Sequence, residues 1–298
     1  MILSRETMKK PVDQHIIPKT YLKHFAIDPK DRKLKSLVWI KRFDHNKTMV
    51  SKESIDSRKF KICDFYTVEC EDSPYVIEDY FSSEIEPVYN DIIDEVELEL
   101  NLSQDCRSKL ILWLYNIKYR NTYNRTNIER NLRNIVHFTF SYQNEFDRLI
   151  NPAPSPENIS REARGAHLQS LLRQDLLSEF EKGMGTKHWI ILKSRPESKF
   201  ITNDNPGFSL NVNLGVPDFN TLTSYFATNH EATNYYILSP KYCLMISPFW
   251  KDTPLEVSLK NQTINYKITN VRHIQFINKC TSITRNKLVI ASDKTHFS

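Results

Sequence analysis

Three polar residues far apart in the chain could do chemistry together: His15, Arg120 and Asp204. A histidine is suited to moving a proton near neutral pH. An arginine holds a phosphate or carboxylate through its planar fork of donors. An aspartate can orient the histidine or bind a metal. Each stands near an expected turn or element end, where sites tend to lie. Together they would suit a hydrolase, most plausibly a nuclease. Each also has a plain structural reading. His15 could hold a turn by bonding to backbone. Arg120 could pair with the acidic stretch before it. Asp204, in Asn203-Asp204-Asn205-Pro206, could accept backbone N–H bonds as an Asx-turn.

Other combinations are weaker. Glu78 and Glu84 with Asp204, and His15 beside them, would offer oxygen and imidazole ligands for magnesium or manganese. Six residues put the two glutamates ~120° apart around a helix, so they converge only if a kink intervenes. Arg130-Asn131 with His137 resembles the short motif of helical HEPN ribonucleases, but it is brief and stands without a matching helical context. Asn205 beside Asp204, and Arg125 in the aromatic and basic run 115–125, are candidate substrate-binding residues. No glycine-rich phosphate loop, serine nucleophile elbow, HExxH or CxxC occurs.

The elements that must position these groups follow from the hydrophobic pattern. In the run from Gln14 to Ala26, Pro18 should keep residues 14–17 extended, and Thr20 should cap a short helix. Leu22 and Phe25 lie on its buried face, with His24 at the surface. A strand at 37–40 and a weaker one at 48–55 suggest a hairpin. Helices are expected over 75–100 with a break at Pro87, then over 103–123, 126–150 and 160–182. The stripe Ile128, Leu132, Ile135, Tyr142, Phe146 and Leu149 should be buried. Strands are expected at 188–192 and 199–202 as a hairpin, in the run up to Val212, and at 235–238 with Tyr242–Ser247. A polar loop covers 213–234. Helix Val271–Ile283 and strand Leu288–Ala291 close the chain. This order indicates an α+β fold: a small N-terminal β unit, a central block of about four helices, and a mostly antiparallel C-terminal sheet. Residues 14–292 read as one domain. The prolines at 152, 154 and 156 mark where 1–150 could part from 157–298.

Composition sets bounds. Five glycines among 298 residues argue against glycine-built nucleotide sites, and 16 Phe with 14 Tyr make an aromatic core. A net charge of +5 and a pI near 8.8 are compatible with a nucleic-acid partner without requiring one. Five scattered cysteines form no disulfide framework, and Cys63 and Cys70 read as buried fillers. With no signal-like or membrane-spanning run, a cytoplasmic protein is expected.

The chain resembles the bacterial and phage domain-of-unknown-function family 4238. The resemblance rests on His15-Ile16-Ile17-Pro18 with Tyr21-Leu22 and Phe25-Ala26, on Asp64-Phe65-Tyr66, and on Ile77-Glu78 with Glu84. Arg120, the run Phe200–Pro206, Leu238-Ser239-Pro240 and Ile277-Asn278 complete it. Asn278 joins the candidate substrate-binding residues on this basis. The resemblance implies an accessory protein of bacterial or mobile genomes, some members serving in defence against phage. It leaves two functional readings: a nuclease-type effector, or a non-catalytic sensor that binds a phage product or a defence partner protein.

Overall fold

The computed structural model of the chain describes residues 12–28, 36–44, 47–68, 74–213, 216–217, 219–224, 226–227, 231–248 and 263–297. Cys70 lies outside them. Strand β1 (Asp13–His15) leads through Pro18 into the short helix α1 (Lys19–Lys23). Pro18 itself, at φ −55° and ψ 135°, occupies the N-cap, so the helix starts before Thr20 and has no side-chain cap. Strands β2 (Leu37–Asp44) and β3 (Lys47–Ser54) form the expected hairpin, and β4 (Lys61–Cys63) returns to pair with β1.

The helical block opens with α2 (Val76–Tyr80), a π turn at Phe81–Ile85, and α3 (Val88–Glu97). Pro87 sits at the N-cap of α3, so the expected break is a restart. Helix α4 (Gln104–Tyr119) is capped by Ser103, whose side chain accepts from Cys106 N–H. Its second half is buried nearly all round, from Leu110 to Lys118, and it is the central rod of the molecule. Next come α5 (Thr122–Ser141), α6 (Glu145–Ile150), α7 (Pro156–Leu172) and α8 (Gln174–Gly185). The expected helix over 126–150 is therefore two helices, because Asn144 caps a fresh start. Of its apolar stripe, Ile128 and Leu132 are half-buried, Ile135 is 60% and Tyr142 77% exposed, and Phe146 and Leu149 lie outside the described side chains. Only the first turns of α5, through Asn124 and Asn127, are buried.

The last third supplies β5 (His188–Lys193), β6 (Thr202–Asn203), β7 (Phe208–Asn213), β8 (Val216–Pro217), β9 (Ala232–Ile237), β10 (Tyr242–Ser247), β11 (Asn265–Ile268), α9 (Val271–Ile283) and β12 (Leu288–Ala291). A six-stranded sheet runs β11-β5-β10-β9-β7-β8, antiparallel except for the parallel pair of β11 with β5. The expected hairpin of 188–192 with 199–202 does not form. After a turn at Arg195–Ser198 the chain leaves for a second sheet, in the order β3-β2-β12-β6. There β12 pairs with β2, Ile290 opposite Ile40, and with β6, so both ends of the chain share one sheet. Strands β8 and β9 also occupy part of the expected polar loop.

One hydrophobic core draws on residues from Ile16 to Ile290, on both sides of the proline segment. At its centre Trp113 stacks on Tyr89 with centroids 4.3 Å apart and donates to Tyr236 Oη at 3.1 Å. Cys106, Cys243 and Cys280 are buried there, whereas Cys63 is exposed on its edge strand, contrary to its reading as a filler. Among the described residues no helix is long and apolar enough to cross a membrane.

Candidate functional site

The segment from Thr202 to Gly207 is buried throughout, although four of its residues are polar. Each polar group must therefore be partnered. Asn203 Oδ1 accepts from Asn205 N–H at 2.8 Å, which tightens the turn. Asn205 Oδ1 accepts from Lys118 Nζ at 3.2 Å and from Asn121 Nδ2 at 2.9 Å, and its own amide donates to Thr284 O. Lys118 gives its other donors to Pro206 O and Gly207 O, at 2.9 and 3.1 Å. Burial without a carboxylate partner pulls this ammonium down to about 7. Asn205 is thus held inward and does not reach a surface ligand.

Asp204 points the other way. Its two carboxylate oxygens accept from Asn286 N–H at 2.8 Å and Lys287 N–H at 2.7 Å. Burial pushes the carboxyl up to about 6, against the pull of those backbone donors. Asp204 borders a cleft of about 440 Å³ between β4, the start of α5 and the segment before β12. Arg42, Lys59, Lys61 and Lys287 also line it, with Thr122 and Thr126 from the first turns of α5. Lys59 is paired with Glu53, and Arg42 with Asp44. Lys61 and Lys287 have no carboxylate within ion-pair distance among the described residues. Among the described residues the cleft is thus lined by four cations, two of them neutralised by Glu53 and Asp44, and by one buried carboxyl, with a helix N-terminus contributing further positive potential. That combination suits an anion.

The other expected site residues take different places. His15 is half-buried opposite Lys61 in the β1–β4 register, and its Nε2 lies 3.3 Å from Ile55 O. Burial and the Lys61 charge lower its pKa, so the ring is neutral at pH 7 and donates to that carbonyl. Its neighbour Ile16, not His15, lines the cleft. Arg120 is 0% exposed. Its Nη2 donates to the main-chain oxygen of His15 at 2.7 Å, its Nη1 meets Glu86 at 3.1 Å, and its guanidinium lies 4.2 Å from the Phe81 ring centroid. Tyr66 Oη donates to Arg120 O at 2.6 Å. Arg120 therefore ties β1 to the helical block from inside the core. His15 meets it through a backbone carbonyl, not through the ring.

Arg125 serves the Asp64-Phe65-Tyr66 bend. It stacks 3.6 Å from the Phe65 centroid, donates to Phe65 O, and donates to His167 Nδ1. His167 in turn donates Nε2–H to Tyr119 O at 2.8 Å, and burial with the Arg125 charge brings it down to about 3. Arg164 completes the clamp through Asp64 O and Thr67 O. Asp64 itself has φ 51°, a left-handed conformation that three backbone anchors from Arg125 and Arg164 hold in place. Asn278 bridges Ile201 N–H and Lys199 O, fixing the approach to β6. Glu78 is half-buried within electrostatic reach of Arg120, while Glu84 is exposed. Among the described residues no group of three or more His, Cys, Asp or Glu could hold a metal ion. Arg130 and His137 stand exposed on α5, and Arg130 bonds to Asn127.

The opening run does meet the Asp204 turn, but through Tyr21. Its hydroxyl donates to Ile237 O at 2.8 Å and accepts from Thr202 at 2.6 Å. The cleft cations were not legible as a group. They come from β2, the turn Arg58–Phe60, β4 and the β12 approach, and only the tertiary fold gathers them.

No curated protein and no solved structure matches the chain. One family model does, described as a protein of unknown function and matching residues 13–295, nearly the whole length. The chain therefore belongs to the family DUF4238.

Proposed function

We propose that this protein binds a phosphate-bearing polymer, a nucleic acid, in the cleft that Asp204 borders. In this reading it acts as a binding or sensing component, the accessory role that the family resemblance implies. The observation that carries it is the imbalance of charge: four cations around one cleft, two of them unpaired with any described carboxylate. Lys61 and Lys287 are the phosphate contacts. Asp204 fixes the main chain at Asn286 and Lys287 and so aims the second of them. His15 and Arg120 act as positioning residues, since the ring of the first is engaged by Ile55 O and the guanidinium of the second is sealed in the core.

A second reading keeps Asp204 as a general acid or base in nucleic-acid hydrolysis. Its support is the raised pKa of a carboxyl bordering the cleft. One experiment separates the two. Labelled RNA and DNA strands are titrated by fluorescence anisotropy, and the same strands are incubated with magnesium or manganese and with a chelator. Binding without turnover, weakened tenfold or more in Lys61→Glu/Lys287→Glu, supports the first reading. Each lost phosphate contact should also flatten the salt dependence by roughly 0.7–0.9 in log–log slope. Turnover that disappears in Asp204→Asn supports the second. Affinity unchanged by the double charge reversal would sink the cleft as the binding site.

A further inference from the structure

The four-stranded sheet has a second face, and it is built differently from the cleft. Side chains alternate along β2, so Trp39, Lys41 and Phe43 share the face opposite Val38, Ile40 and Arg42. Val38 and Ile40 go into the main core, and Arg42 lines the cleft. The other face packs Ile201, Val289 and Ala291 into a small apolar floor, flanked by Phe43 and Phe297. A groove of about 660 Å³ opens at the edge of this cluster, where Ile201, Phe43 and Phe297 line it, between α9 and the last turn at Lys294–Phe297.

The rims of the groove are basic. Lys41, Lys199, Lys279 and Arg285 line it, against Glu197 alone among carboxylates. Glu197 is itself within 4.0 Å of Arg195. The aromatic rings are set among cations. Arg285 Cζ lies 3.4 Å from the Phe43 centroid and Lys41 Nζ 5.7 Å from it. Further along β2, Lys52 and Lys294 approach the Trp39 ring at 5.0 and 5.9 Å. A guanidinium backed by an aromatic ring, with the apolar surfaces of Phe297 and Ile283 beside it, suits the face of a base, and the surrounding cations suit the phosphates on either side of it. A duplex hides its base faces in its own stack and could use only the cations.

The two basic regions are also adjacent in the chain. Arg285 lines the groove, while Asn286 and Lys287, the next two residues, line the Asp204 cleft. A strand passing over this short ridge would leave one region and enter the other.

We infer that the groove beside Phe43 is a base-binding subsite, and that the polymer held by the cleft is single-stranded. This deepens the reading of the cleft as a nucleic-acid site and rests on it. The stacking platform is the Arg285 guanidinium, which lies over the Phe43 ring with that ring as its backing; Lys279 and Lys199 hold the neighbouring phosphates.

The test uses the full chain with a labelled 12-nucleotide pyrimidine strand, the matching duplex, and an abasic strand of the same length. The single strand should bind at least tenfold more tightly than the duplex or the abasic strand. Phe43→Ala should weaken the single strand five- to a hundredfold, the range of one stacked base, while leaving the duplex within twofold. Because Phe43 also packs on the apolar floor, Lys279→Glu provides a surface variant that should weaken the single strand with folding intact. Photocrosslinking of a 5-iodouracil strand to the unaltered protein should label the peptide carrying Phe43 or the one carrying Phe297. If Lys61→Glu/Lys287→Glu abolishes binding while the groove variants match wild type and no groove peptide is labelled, the cleft stands and this inference fails. If neither pair of variants affects binding, both readings fail.

Discussion

Replacing Arg120 by methionine distinguishes a positioning role from a ligand contact. Methionine keeps an unbranched, apolar side chain in the same space against Phe81 and Tyr66 but removes the guanidinium. Two groups then lose their partner: the His15 carbonyl, 2.7 Å from Nη2, and the Glu86 carboxylate, 3.1 Å from Nη1. Removing one member of a buried ion pair costs about 3–5 kcal/mol, because the remaining charge stays desolvated. Glu86 keeps 20% of its side chain exposed, so water relieves part of that penalty, and the lower end, about 3 kcal/mol, applies. At a urea m-value of about 3 kcal/mol/M, the unfolding midpoint should fall by about 1 M. The cycle with Glu86→Gln should return a coupling of about 1–3 kcal/mol. Oligonucleotide affinity per folded molecule should remain within twofold of wild type. A midpoint shift below about 0.2 M combined with a tenfold loss of affinity would refute the reasoning, since Arg120 would then be acting on the ligand.

Further outcomes follow from the same geometry. The Asp204 carboxyl lies near 6 when folded and near 3.8 when unfolded, so the folded state holds the extra proton. Its stabilising contribution is complete below about pH 4 and is lost as pH rises through 6, about 3 kcal/mol in all at 1.36 kcal/mol per unit. Denaturant titrations at pH 4 to 8 should show this slope in wild type and not in Asp204→Asn. Protonation also removes the negative charge of the carboxyl that lines the cleft, so oligonucleotide affinity should rise as pH falls from 7 to 5 in wild type more than in Asp204→Asn. Lys118→Met should cost about 2–4 kcal/mol, because Pro206 O and Gly207 O lose their donor in a buried turn; thermal denaturation measures it. Gly207 has φ 81°, and a Cβ there would stand 2.7 Å from the Phe226 ring and 3.0 Å from Tyr236, so Gly207→Ala should lower stability by about 2–4 kcal/mol. An unchanged melting temperature for Gly207→Ala would contradict the packing of that turn.

The sequence made the local elements plain where one residue dominates the backbone. Pro87 broke the first long helix, and the periodicity of Val271–Ile283 and Leu288–Ala291 matched those elements to the residue. It misled where tertiary placement decides. The apolar stripe of α5 has helical spacing, but Ile135 and Tyr142 find no facing element among the described residues. The run 199–202 has the length of a returning strand, yet β12 competes for it and takes Thr202 and Asn203 into the other sheet. For the site, Asp204 was visible because a carboxylate before proline is conspicuous. Lys61 and Lys287 were not, because isolated surface lysines acquire meaning only from their neighbours in space.

Residues on which the resemblance rests bond to one another and to the segments around them. Gln14 Oε1 accepts Tyr66 N–H at 2.5 Å, Arg120 holds the His15 carbonyl, and Tyr21 reaches Thr202 and Ile237. These bonds join β1, the Asp64-Phe65-Tyr66 bend, the end of α4 and the approach to β6, segments separated by as many as 216 positions in the chain. Bonds of this kind tie distant parts of the chain together across one core. Through the pairing of β1 with β4 they also support the strand that carries Lys61. The residues of the resemblance thus support the frame of the cleft, while its four cations, Arg42, Lys59, Lys61 and Lys287, lie outside that resemblance.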